Sequence, residues 1–184
     1  MPGTDPTPGP GDRLPLVDTV AAGPGPMSPA LPGALIHHLG SSVAPDTMRF
    51  DDLTRAAYTT DASNYRRVPR GVALPRSSDE VEAVLAACRV LGVPVTLRGG
   101  GTSVAGNSIG AGIVIDTSRH LNRILDVDPE RRTAIVEPGV ILNDLRRAAA
   151  VHGLTFGPEP STHSRCTLGA CVGDGARAPV LVWA

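Results

Sequence analysis

Aromatic residues are almost missing from this 184-residue chain: two Phe, two Tyr and one Trp make up 3% of it. A core must therefore be assembled from Val, Leu, Ile and Ala, and no stacking platform for single-stranded nucleic acid can be built. An excess of one charge is missing as well. Seventeen Lys and Arg against 18 Asp and Glu leave a formal net charge of -1, which excludes the basic footprint of a nucleic-acid-binding protein. Cysteine is scarce. Cys88, Cys166 and Cys171 form no even disulfide framework and follow no secretory signal, so reduced thiols and a cytoplasmic setting are expected. No run approaches the roughly 20 apolar residues that a bilayer demands. His163, Cys166 and Cys171 would give a zinc ion three ligands where a tetrahedral site wants four, so no metal is expected.

What the chain has instead is glycine and proline, 21 and 18 residues. Many of them fall in residues 1–33, which contain few large apolar side chains and read as a disordered tail. Residues 34–66 read as a helical lead-in. ALIHHL is one helical segment, with the adjacent His37 and His38 on its surface, and FDDLTRAAY spaces Phe50, Leu53, Ala57 and Tyr58 as a second. Residues 67–184 read as the main domain. GVALP is a strand, and Ser77-x-x-Glu80 is a capping box at a helix start. That helix carries Val81, Val84, Leu85, Cys88 and Leu91 on one face and stops at Gly92, which makes Cys88 a buried small hydrophobe. PVTL at 94–97 closes a strand, helix, strand unit. IVIDTS is a further strand, RILDVD and TAIVEP form a hairpin across PERR, and ILNDLRRAAAVHG is a helix ended by Gly153. The fold class is α+β, with a mixed sheet.

The stretch RGGGTSVAGNSIGAGIVID, 98–116, raises the question of function. Glycine is spent where φ turns positive or where something approaches the main chain without meeting a Cβ. A dinucleotide fingerprint would need glycine at 104, where Val stands, and a following helix, where a strand is expected. A nucleotide triphosphate loop has the right spacing from Gly101 to Gly106 but Asn107 in place of lysine. The remaining design is a strand, a glycine loop and a strand, with successive N–H groups forming a nest around a diphosphate. Arg98 would add positive potential there, and Thr102, Ser103 and Asn107 would add side-chain donors. Taken alone, such a loop is equally well a turn that binds nothing.

Three linked segments in register weigh toward a ligand. ALPRSSDEVEAVLAACRVLGVPVTLRGGGTSVAGN, VIDTSRHLNRILDVDPERRTAIVEPGVILNDL and HGLTFGPEPSTHSRCTLG strongly resemble FAD-linked oxidases of the vanillyl-alcohol oxidase type. These carry the p-cresol methylhydroxylase-type FAD-binding domain, and the similarity runs from about Tyr58 to Gly169. The nearest branch is that of the D-lactate dehydrogenases, glycolate oxidase subunits and D-2-hydroxyglutarate dehydrogenases. The resemblance implies that Arg98, Gly99, Gly100, Gly101, Thr102, Ser103, Ala105, Gly106 and Asn107 wrap the FAD pyrophosphate. It also implies that Pro160, Ser161 and Thr162 and a glycine turn at Thr167, Leu168 and Gly169 line the cofactor. No histidine lies in the glycine loop, so the FAD is expected to be noncovalent.

In such proteins a 2-hydroxy acid is oxidised at its α-carbon, and the residues that bind and deprotonate it lie in later parts of the chain. No catalytic residue is therefore assigned here. His163, Asp61, Tyr65, Asp116 and Glu137 read as structural, solvated or turn-capping groups. GACVGDGARAPV departs from the family pattern, and VLVWA ends inside an apolar run, as an unpartnered strand would. The expectation is an FAD-binding fragment of an oxidoreductase, with a separately encoded C-terminal half or an iron–sulfur protein as partner. The alternative is a non-catalytic truncated remnant that binds FAD weakly or not at all.

Overall fold

A computed structural model of the chain describes residues 30–173 and 182–183. The tail expected over 1–33 lies outside the described residues except at its end, where helix α1 (Ala30–Leu39) already begins. Pro32 fits that first turn because its missing N–H has no helical acceptor there. Leu31 packs partly buried against the core, which gives the helix a reason to start early.

The central sheet has the order β1-β2-β4-β3. Its strands are β1 (Met48–Arg49), β2 (Gly71–Ala73), β3 (Val95–Arg98) and β4 (Ile113–Asp116). β1 runs antiparallel to β2, while β4 pairs in parallel with both β2 and β3. The lead-in thus contributes a strand to the main sheet. Helix α2 (Asp52–Ala57) follows it, N-capped by the Asp51 side chain. Leu53, read as part of that segment's apolar face, is 83% exposed.

Helix α3 (Ser78–Val90) connects β2 to β3, but β4 lies between the two strands. Ser77 caps it by accepting the Glu80 N–H. The Glu80 carboxylate does not complete a reciprocal box; it accepts from the N–H groups of Ala44 and Arg76 and from the Thr47 hydroxyl. The other end is a Schellman motif. Gly92 has φ +62°, the Val93 N–H reaches the Cys88 carbonyl at 2.8 Å, and the Gly92 N–H reaches Arg89 at 3.3 Å. Val84, Ala87 and Cys88 form the buried face, with Cys88 wholly buried and its thiol pushed up to about 11 by that burial. Leu85 is 40% exposed. Two residues, about 200° of helix, separate it from Ala87, which takes the inward position.

Beyond the sheet, β5 (Ile124–Asp128) and β6 (Thr133–Val136) form the expected hairpin, with a bulge between Ile124 and Asp126. Helix α4 (Leu142–Ala150) leads to Gly153 at φ +71°. The short strand β7 (Thr155–Phe156) pairs antiparallel with β8 (Val182–Trp183), so the last apolar run has the partner that its sequence did not suggest. Helix α5 (Leu168–Gly173) lies between those strands in sequence.

Among the described residues two large clusters make most of the core, and Ala149 and Leu154 form a small third one. Leu35, Val84, Cys88, Ile113 and Ile115 pack beneath α1 and α3. Val140, Leu142, Leu145, Phe156 and Leu168 pack around α4.

Candidate functional site

Parallel neighbours ordinarily need a helical crossover, yet β3 and β4 are joined by residues 99–112 without one. This loop borders a cleft of about 590 Å³, whose lining includes Arg98, Thr102, Asn107, Thr117, Pro138 and Gly169. A second cleft of about 260 Å³ is lined by Pro158, Pro160, Thr162, Cys166 and Cys171. Thr102 and Ala170 line both, so the two are adjacent. Arg98, Gly99, Thr102, Ser103, Gly106, Asn107 and Gly169 border the first space, and Pro160 and Thr162 the second. Gly100, Gly101, Ala105, Ser161, Thr167 and Leu168 border neither.

Much of the bare backbone makes room for protein. A Cβ at Gly99 would overlap the Thr167 hydroxyl, and one at Gly100 would overlap the Arg165 carbonyl. Both glycines let the loop lie directly against residues 165–167. Gly101 and Gly106 are needed for their backbones, at φ +66° and +80°. The question posed by so much glycine is thus answered in part by packing between segments.

The loop is braced by side chains. The Arg98 guanidinium donates to the carbonyls of Thr60 and Ser108 at 2.9 and 3.1 Å and lies 5.2 Å from the Tyr58 ring centre. The Tyr58 hydroxyl donates at 2.5 Å to Asp116, a buried carboxylate that also takes two bonds from Ser118. Desolvation foremost, and then the Asp116 hydrogen bond, push the Tyr58 phenol far above its ordinary value. Asp61 accepts from the N–H groups of Ser63 and Ser108. Burial opposes its charge, but those bonds and Arg98 hold it below the ordinary carboxylate value. Ser103 Oγ accepts from Ala105 and Asn107. Among the described residues, the N–H groups from Gly99 to Val104 donate to no protein acceptor.

The opposite wall is built differently. The Thr162 carbonyl accepts from Arg165 and Cys166 at 2.7 and 2.8 Å, and His163 Nδ1 lies 3.0 Å from Asn143 Oδ1. Arg146 ties this wall down through Glu159 and the carbonyls of Phe156 and Pro158. The expected glycine turn is the bridge residue Thr167 followed by the first turn of α5, because the Leu168 and Gly169 N–H groups are taken by the carbonyls of Val140 and Pro138. Thr167 is 1% exposed, and among the described residues its hydroxyl has no hydrogen-bond partner. Glu137, expected as a solvated or turn-capping group, accepts the Arg123 N–H and pairs with its guanidinium at 2.7 Å.

Sequence reasoning missed the bracing roles of Tyr58, Ser108 and Arg146. Tyr58 stands three residues before Asp61, but its partner Asp116 is 58 residues away.

A glycine loop whose N–H groups from Gly99 to Val104 have no acceptor among the described residues, beside a cleft, has the chemistry of a dinucleotide phosphate site. Comparison with known proteins agrees: the FAD binding domain family matches residues 69–181. This chain belongs to that family. Its cofactor is FAD. The chain is 40% identical over 129 residues to D-2-hydroxyglutarate dehydrogenase of Pseudomonas putida, covering 68% of this chain and 13% of that one. It is 36% identical over 131 residues to glycolate oxidase subunit GlcD of Bacillus subtilis, covering 69% and 28%. Among solved structures, an alkyldihydroxyacetonephosphate synthase superposes with TM-score 0.65 at 25% identity, over 74% of this chain and 30% of that one. The chain therefore spans less than a third of each of these relatives. Among the described residues, no helix is long and apolar enough to cross a membrane.

Proposed function

We propose that this chain holds FAD noncovalently along the two adjacent clefts and is the cofactor-binding part of a flavoprotein that oxidises D-2-hydroxy acids. The observation that carries the reading is the run of N–H groups from Gly99 to Val104 without protein acceptors, beside the cleft. Those donors suit the diphosphate, whose negative charge the nearby Arg98 guanidinium also favours. Thr102, Ser103 and Asn107 surround the same oxygens, with Ser103 Oγ keeping its own proton to give while it accepts from the loop. Pro160 and Thr162 face the flavin half, and Ser161, Thr167, Leu168 and Gly169 set that wall in place.

Bound FAD supplies the two-electron acceptor, while the protein supplies orientation and electrostatics. The substrate class follows from the relatives, whose names specify D-2-hydroxyglutarate and glycolate. Substrate binding and proton abstraction are assigned to no residue of this chain, and the proposed partner is a C-terminal half of the flavoprotein or an iron–sulfur electron-transfer protein. The complex is cytoplasmic. The test is to add FAD to the purified chain and follow binding by calorimetry and flavin absorbance, then to precipitate the protein with acid. Saturable one-to-one binding, with all the colour left in the supernatant, is expected. No uptake would reduce the chain to a non-binding remnant, and colour retained in the pellet would show a covalent bond.

A further inference from the structure

Two of the three cysteines face each other at the smaller cleft, which the FAD reading does not require. Cys166 Sγ and Cys171 Sγ are 3.7 Å apart, and both line that cleft. Cys166 is 3% exposed, whereas Cys171 is half-buried. Closing to a bond of about 2.05 Å needs a movement of under 2 Å. Cys166 is fixed at both backbone groups, its N–H on the Thr162 carbonyl and its carbonyl on the Leu142 N–H. Cys171 lies near the end of a helix of six residues, the easier element to shift.

We propose that Cys166 and Cys171 form a redox-active dithiol, oxidised to an intrachain disulfide by low-molecular-weight disulfides that enter through the smaller cleft. Exposure sets the order of events. The Cys171 thiolate attacks one sulfur of the small disulfide, forming a mixed disulfide and expelling the first small thiolate. Cys166, deprotonated, then attacks Cys171 Sγ, breaks the mixed bond and expels the second. Two protein protons are released, and the two electrons reduce the oxidant to two thiols. The bond joins the base of the Thr162–Cys166 turn to α5, whose Gly169 and Ala170 line the larger cleft. A second clause rests on the FAD reading: cofactor in the shared space shields the pair.

The sequence offers a direct assay, because trypsin releases Cys166 and Cys171 together in one peptide, residues 166–177, and Cys88 in another, residues 77–89. The full-length chain is incubated with oxidised glutathione, quenched with acid, alkylated under denaturing conditions and digested. The expected result is a 166–177 peptide carrying no alkyl group and lighter than the dithiol by two hydrogens, with Cys88 alkylated. In Cys166→Ser the same treatment should stop at a stable glutathione adduct on Cys171, and in Cys171→Ser it should leave Cys166 as thiol. A wild-type chain that stays a dithiol, or accumulates the Cys171 adduct without resolving it, overturns the proposal. Saturating FAD should slow disulfide formation at least fivefold. Unchanged rates with bound FAD would overturn the shielding, whereas a chain that forms the disulfide and binds no FAD would overturn the functional reading and leave the dithiol standing.

Discussion

On one side of the cleft, the glycine loop rises from a sheet whose connections are held by carboxylates: Glu80 on Ala44 and Thr47, Asp61 on Ser108, Asp116 on Tyr58. On the other, residues 158–169 rest on a cluster of wholly buried side chains, Leu142 and Leu145 among them, with Arg146 as the main polar tie. The difference has a physical source. A loop rich in glycine offers few side chains to bury, so its shape must come from hydrogen bonds made by its neighbours. A wall that can bury leucines draws its position from packing, which is non-directional but strong in sum. The first wall should therefore yield to loss of single polar atoms and to acid, the second to cavities.

The contact between the walls is the place to break both at once. Gly100→Val places a branched side chain into the Arg165 carbonyl, a backbone group that cannot rotate away. Overpacking of this kind costs about 1–3 kcal/mol, and here the strain falls on the separation between the walls. FAD affinity, measured by calorimetry, should drop on the order of 100-fold or become undetectable. Retained affinity would show that the two walls move independently.

Within the packed wall, Leu145→Ala removes a side chain that is 0% exposed. A loss of about 2–5 kcal/mol is expected from transfer and cavity terms together, read as a lowered midpoint in urea with an unchanged slope. Within the braced wall, Tyr58→Phe keeps the ring beneath Arg98 and deletes one oxygen. Asp116 then loses a donor in a buried site, for a cost of about 1–3 kcal/mol. If the two variants reversed in size, the assignment of packing to one wall and polar bracing to the other would fail.

Legibility followed the same division. The elements of the packed regions were readable because they announce themselves locally: Ser77 and Gly92 bound α3, Gly153 ends α4, and the hairpin strands flank PERR. The glycine loop was readable as a loop between two strands with no intervening helix, but taken alone it was equally well a turn that binds nothing, and only the resemblance of three linked segments pointed to FAD. What the loop's glycines touch was not readable. Gly99 and Gly100 meet residues 165–167, more than sixty positions away, and nothing local distinguishes a glycine cleared for a phosphate from one cleared for a carbonyl. Arg98 was legible as a cation beside the site, but its ties to Thr60 and Ser108 depend on a lead-in whose irregular path has no periodic signal. Leu53 and Leu85 illustrate the remaining limit. A short helix admits more than one apolar face, and α2 has no buried residue to fix the choice, while in α3 the small Ala87 suits the close approach to the sheet.

The smallest effect, and the sharpest on the braced wall, is the response to acid. Desolvation by itself would raise the Glu80 pKa, but the N–H groups of Arg76 and Ala44, the Thr47 hydroxyl and the Arg76 charge together hold it below its ordinary 4.5. A carboxylate depressed in the folded state contributes stability that is complete above its unfolded pKa and drains away as the pH falls through the folded one. Glu80→Gln removes that contribution while keeping an acceptor oxygen. The stability gap between wild type and variant should therefore be constant near neutrality and close progressively below about pH 4.5. Because the group is partly solvated, the gap should stay below about 1 kcal/mol. Asp46, Asp51, Asp61 and Glu137 are also held low, so the variant will still lose stability in acid, and the informative quantity is the difference between the two curves. Parallel curves from pH 7 to pH 3 would mean that the lead-in is not held to α3 by this charge, and the sheet side of the cleft would then owe its shape to packing after all.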